Sequence, residues 1–429
     1  MSPSRPIRPL AFATLLAVLL ASRPAVAATA PPVQLVETVP VETKLGNPAL
    51  PATAAVWVEM IGGARKSLDL EEMYFGTWPG EPMGPVIDAL GAAAKRGVRV
   101  RLILASSMYK TYPQPADSMA TVPNVEVRLL DMKQVSGGGI QHSKYFVVDR
   151  EQVFEGSQNF DWRSLEHIHE MGVRVSHPQV ADLFERVFES DWQVATPLGA
   201  VAGSSAPATE PASAAALPSL PIRIVQAPGD TVAVWPSFNP KGHLPDPSLW
   251  DQDAVVRLID SARREIAIQV YTYGSGRRSE RDTTLDLALR RAAARGVRVR
   301  IVVSDWQPDN DRITDLQRLS EVPNVETRMT TVPDWSGGYI PYARVDHSKY
   351  MVVDSLWTWV ATSNWEPDYF HTSRNTALTL RNRPIALQAH RSFDASWGSS
   401  TTRVVRAGET YAKKVHGETP PPGKTAYGK

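Results

Sequence analysis

The 429-residue chain repeats itself. Gly97 and Gly296 lie 199 positions apart, Pro123 and Pro323 lie 200 apart, and His142 and His347 lie 205 apart. An offset that steady over successive segments marks an internal duplication, which restricts the fold to two copies of one unit. Within the first copy the apolar pattern predicts a helix over 54–64 and a strand over 67–75. A helix over 83–96 follows, with Gly97 at its C-cap, then a strand over 98–104. Val122-Pro123-Asn124 turns into another strand, and a helix over 178–194 ends near Trp192. The second copy returns with helices over 254–264 and 284–295 and strands over 265–273 and 296–300. Strands alternating with helices predict an α/β fold: two homologous domains, each a β-sheet flanked by helices, related by a pseudo-twofold axis.

The boundaries follow from composition. Arg5 and Arg8 precede an apolar run from Leu10 to Ala21, and Ala25-Val26-Ala27 fits a cleavage site, so 1–27 reads as a signal peptide. That expectation makes the protein exported, periplasmic or secreted. Residues 28–50 lack a period and read as an extended arm. The domains are expected over 51–195 and 222–402, joined by an Ala/Ser/Pro-rich linker over 196–221, with a disordered tail over 403–429. Removing 1–27 takes away Arg5, Arg8 and Arg23, which leaves 43 basic against 45 acidic residues, a formal charge of −2. Binding to nucleic acid must then be local rather than bulk. Absence of cysteine excludes a thiol nucleophile, a thiolate metal site and disulfides.

Chemistry enters with a stretch that occurs twice. Gln141-His142-Ser143-Lys144 runs into Tyr145-Phe146-Val147-Val148-Asp149, and Asp346-His347-Ser348-Lys349 runs into Tyr350-Met351-Val352-Val353-Asp354. Side chains two apart on a strand share a face, so each histidine lies beside a lysine. Gly156, Ser157 and Asn159 follow the first motif, and Ala361, Thr362 and Asn364 follow the second at the same spacing. Lysines and asparagines can hold the oxygens of a phosphodiester. One neutral imidazole can attack phosphorus while the other, protonated, serves the leaving oxygen.

Both halves resemble the paired His-x-Lys motifs of the phospholipase D superfamily, and the resemblance covers nearly the whole mature chain. The run from Gly156 through Trp162 and Arg163 to Ser164, and Asn364-Trp365 with Tyr369-Phe370, resemble the branch of lysosomal 5′-exonucleases and transphosphatidylases. The resemblance implies one active site between the halves and a metal-independent phosphodiesterase working through phosphohistidine, without a cofactor. It implies catalytic roles for His142, Lys144, His347 and Lys349, with Asn159, Asn364, Ser157 and Thr362 at the phosphate. In the family an acidic residue such as Glu170, 28 positions after His142, supports the imidazole of its own motif; the matching position after His347 is Asn375. That inequality predicts His142 as nucleophile and His347 as general acid.

Other residues have plainer readings. Asp149 and Asp354 are expected to be structural. His167, His169 and Glu170 form a string that strand alternation explains better than a metal site. Trp162, Trp365, Tyr369, Tyr74 and Tyr271 are candidates to line a substrate cleft, and Phe75, Tyr273 and Trp306 stack on bases, touch acyl chains or simply pack. The arginines at 98–101 and 297–300 belong to solvated or salt-bridged faces. The expected partner is a phosphodiester, either single-stranded nucleic acid ends or a glycerophospholipid, and the motifs serve both equally. The protein is expected to be a monomer with no obligate protein partner.

Overall fold

The computed structural model describes residues 30–199, 216–276, 281–308, 310–414 and 417–427; the expected signal peptide and most of the linker lie outside them. Two large mixed sheets carry the chain. The first runs in the order Val33–Thr38, Glu170–Ser176, Gln152–Gly156, Lys144–Val148, Ser67–Glu72, Arg99–Ala105, Val125–Leu130 and Thr196–Pro197. The second repeats that order with Asp230–Asn239, Asn375–Arg381, Trp357–Ala361, Tyr350–Val353, Glu265–Val270, Arg298–Ser304, Val325–Thr330 and Thr402–Val404, and adds Ile222–Ala227 outside Asp230–Asn239. In each sheet three central strands are parallel, and the motif strand joins them antiparallel. Parallel neighbours need a crossover, supplied by Met83–Lys95 and Thr284–Ala294. Both helices stop where Gly97 and Gly296 take the left-handed conformation, at φ +94° and +87°.

Apolar burial falls in three zones. Trp57, Leu68, Leu90, Phe146 and Phe154 lie under the outer helices of the first half, and Val255, Ile266, Leu289, Met351 and Trp359 under those of the second. Between the sheets, helices Pro178–Val194 and Arg383–Trp397 share one core, in which Phe184 meets Phe238 edge-on at 5.0 Å. Each such ring buried contributes about 1.5–3 kcal/mol. A core contributed by both halves fixes them against one another, and so fixes any site formed where they meet.

Two expectations are corrected. Val33–Thr38 is no loose arm but an edge strand paired antiparallel to Glu170–Ser176. Its Val33, Leu35, Val36 and Glu37 are all buried, so the solvent-facing alternation that marks a strand is missing from the sequence. The segment after 402 is likewise not a disordered tail. Thr402–Val404 pairs with Val325–Thr330, the Lys414 ammonium donates to the Val332 carbonyl at 2.8 Å, and the Tyr427 hydroxyl donates to Glu81 at 2.5 Å. Single aromatic anchors in a polar stretch hold it down, a pattern that composition hides. The arginine strands are salt-bridged as expected: Arg101 to Asp69, Glu185 and Glu189, and Arg300 to Glu265 and Asp394.

Candidate active site

The two motifs meet because each is hydrogen-bonded to the other half. The His142 amide donates to the carbonyl of Arg374, and the His347 amide to the carbonyl of His169, both at 2.9 Å. The residues that follow those two acceptors are Asn375 and Glu170. Each motif histidine is thereby set beside the polar residue at the start of the opposite half's strand.

Side chains complete the crossing. His142 Nδ1 lies 2.9 Å from Asn375 Oδ1, and His347 Nδ1 lies 3.0 Å from both Glu170 oxygens. The expectation that Glu170 supports His142 is therefore wrong: Glu170 supports His347, and Asn375 supports His142. Equal spacing within each half cannot reveal which half a strand end will touch. Ser157 donates to Glu170 at 2.6 Å and Ser164 at 3.1 Å, while Thr362 donates to Asn375 Oδ1 at 2.9 Å. Ser157 and Thr362, expected at the phosphate, hydrogen-bond the residues that hold the histidines.

The crossing points are braced by buried charge. His169 sits 2.9 Å from Glu37 and 3.4 Å from Asp346, and Arg374 donates to Asp191 at 2.7 Å. Burial alone would lower the His169 pKa, but Asp346 and Glu37 outweigh it and raise it to about 10. His167 leaves the string to pack against Trp335, so His167, His169 and Glu170 face three different surroundings.

Both catalytic candidates are held neutral in the free protein. Burial first, and then the cations of Lys144 and Lys349, keep His142 and His347 well below the ordinary imidazole range. Burial lowers Lys144 to about 7 against the pull of Glu72, Glu170 and Glu155, and pushes Lys349 well down. Burial also raises Glu170 to about 8, despite both lysines and both serine hydroxyls. Each lysine donates to the carbonyl of its own histidine, Lys144 at 2.6 Å, which fixes the ammonium beside the imidazole. The amide oxygens of Asn159 and Asn364 are buried without a partner.

Asp149 and Asp354 lie apart from this chemistry. Asp149 accepts from the amides of Arg65, Lys66 and Ser67, and Asp354 from those of Arg263, Arg264 and Glu265. They tie each motif strand's end to the start of its neighbour. Among the cleft candidates, Tyr369 stands edge-on to His142 and Tyr271 edge-on to His347, each with ring centroids 4.9 Å apart. Trp365 is core, against Trp359 and Tyr273. Tyr74 stacks on Tyr112 at 5.1 Å, and Trp162 packs against His167 and Tyr427.

The family model described as cardiolipin synthase, PLD-like domain, matches residues 57–192 and 255–397. Phospholipase D Z of Dictyostelium discoideum is 30% identical over 389 residues, covering 86% of this chain and 89% of that protein. Human 5′-3′ exonuclease PLD3 is 30% identical over 379 residues, covering 81% of this chain and 74% of its own. Phosphatidylserine synthase of Haemophilus influenzae shares the fold, with a TM-score of 0.57 at 15% identity over 82% of this chain and 85% of its own.

Proposed function

The chain belongs to the phospholipase D superfamily and is a phosphodiesterase, and from that premise we propose a metal-independent exonuclease that acts on single-stranded nucleic acid ends through phosphohistidine. The observation that carries the mechanism is the unequal support of the two histidines. Asn375 Oδ1 can only accept, so His142 keeps its proton on Nδ1 and a lone pair on Nε2. An amide cannot stabilise an imidazolium as a carboxylate does, so His142 stays neutral and nucleophilic. Beside His347, Glu170 and the imidazole together hold one proton in the free enzyme. Burial and the two lysine cations keep His347 neutral; in the proposed mechanism a phosphodiester anion between Lys144 and Lys349 offsets them, and the proton then settles on His347 with Glu170 as its counter-charge.

In the first step His142 Nε2 bonds to phosphorus, the bond from phosphorus to the leaving oxygen breaks, and His347 gives that oxygen its proton. In the second, His347 takes a proton from water as the water oxygen bonds to phosphorus and the nitrogen–phosphorus bond breaks. Lys144 and Lys349 supply the positive charge that a metal would otherwise bring. The proposal keeps the expected order of the histidines on a different ground: the carboxylate supports the acid.

The substrate class draws support from the human relative, whose name is that of an exonuclease. The Dictyostelium relative is named a phospholipase D, so release or exchange of a lipid head group is the second reading. The proposal includes an exported, periplasmic or secreted monomer, with signal peptide 1–27 removed and catalytic halves over 51–195 and 222–402. Among the described residues no helix is long and apolar enough to cross a membrane.

The test is to offer mature protein in EDTA a labelled single-stranded oligonucleotide and, in parallel, phosphatidylcholine vesicles, with His142→Ala and His347→Ala as blanks. Shortening of the oligonucleotide is expected. Head-group release without it would decide for the lipid reading, and loss of activity in EDTA would refute the metal-free mechanism.

A further inference from the structure

If His347 protonates the leaving oxygen, the leaving group must lie on the His347 side of the phosphate. That side carries a run of rings leading outward. Tyr271 is 4.9 Å from His347, Trp306 is 5.7 Å from Tyr271, and Tyr342 is 6.5 Å from Trp306, between ring centroids. The run ends at the surface: His347, Tyr271 and Trp306 are half-buried, and Tyr342 is 40% exposed. Two ammonium groups flank it: Lys349 lies 5.2 Å from the Tyr271 ring centre and Lys413 5.2 Å from that of Trp306.

The duplicate half lacks this feature. The residues in register with Tyr271 and Trp306 are Met73 and Ser107. The shared fold therefore does not require rings at these places.

We infer that Tyr271, Trp306 and Tyr342, with Lys413, form the subsite for the leaving portion of the substrate, and that this portion is a nucleotide strand. The inference rests on the reading of His347 as the acid and of nucleic acid as substrate. The rings offer π-faces to successive bases, and Lys413 offers a cation to a backbone phosphate. A quaternary ammonium head group fits poorly, because Lys349 and Lys413 already bring positive charge to the same rings. The centroids are too close for a base to enter between neighbouring rings, so the bases lie along the run as on a wall. Lys413 gives the segment after 402 a role in binding.

The test compares KM for single-stranded oligonucleotides from dinucleotide to hexanucleotide in the wild type, Trp306→Ala, Trp306→Phe and the exposed Tyr342→Ala. In the wild type KM is expected to fall as the strand lengthens. In Trp306→Ala that gain is expected to shrink by roughly 5- to 100-fold at full length with kcat largely kept, and Trp306→Phe is expected to restore most of it. Lys413→Ala should flatten the dependence of log KM on log salt by about 0.7. Wild-type length dependence in both Trp306→Ala and Tyr342→Ala would overturn the subsite while leaving the exonuclease reading intact. Absence of cleavage of any oligonucleotide by the wild type, with head-group release from vesicles, would overturn both.

Discussion

Glu170 and His347 stand 177 positions apart, in opposite halves of the chain, and share a hydrogen bond of 3.0 Å. In the proposed mechanism this contact makes the duplicated chain one enzyme, because neither half alone holds the acid and its support. In that mechanism it also sets the pH range in which His347 has a proton to give. Glu170→Gln removes the counter-charge of the imidazolium, so kcat is expected to fall by about 10- to 100-fold with little change in KM. The wild type should lose activity above about pH 8 as the pair loses its proton. In Glu170→Gln the alkaline limb should move to lower pH, since an amide cannot stabilise the protonated ring. A pH–rate profile of both proteins checks the direction.

Asn375→Asp makes the supports alike. A carboxylate beside His142 favours its protonated form, by one to three pH units at about 4–6 Å. Protonated His142 cannot attack, so the acid limb of the kcat profile should move upward by about one unit or more. An acid limb that stays in place would mean that Asn375 does not face the nucleophile.

Stability should separate the motif aspartates from the chemistry. Asp149→Ala frees the amides of Arg65, Lys66 and Ser67 at the end of the motif strand. A loss of about 1–3 kcal/mol is expected in urea unfolding, with kcat at room temperature nearly unchanged. A catalytic aspartate would instead show lost turnover in folded protein.

Much of this could be read from the residues. The stable offset between Gly97 and Gly296 announces the duplication, and the motif strands and crossover helices appear where periodicity puts them. The charge-bearing set, His142, Lys144, His347 and Lys349, is legible because its spacing repeats. The pairing across the halves is not. Sequence spacing measures distance along one chain segment, whereas Glu170 and Asn375 reach the histidines through backbone contacts at His169 and Arg374. Ser157 and Thr362 reach Glu170 and Asn375 within their own halves, hydrogen bonds that a repeated hydroxyl at a fixed spacing does not announce. The edge strand Val33–Thr38 escapes because it is buried on both faces, and Tyr427 because one anchor leaves no periodic signal.

The central claim is that His142 attacks and His347 protonates. Rapid quenching of mature protein with labelled substrate in EDTA, followed by peptide mapping under conditions that preserve phosphohistidine, tests it most directly. The label is expected on His142, and its yield should rise in Glu170→Gln if the step that consumes it, which needs His347 as base, is slowed more than its formation. Label on His347 would contradict the assignment and reverse the roles of the two halves.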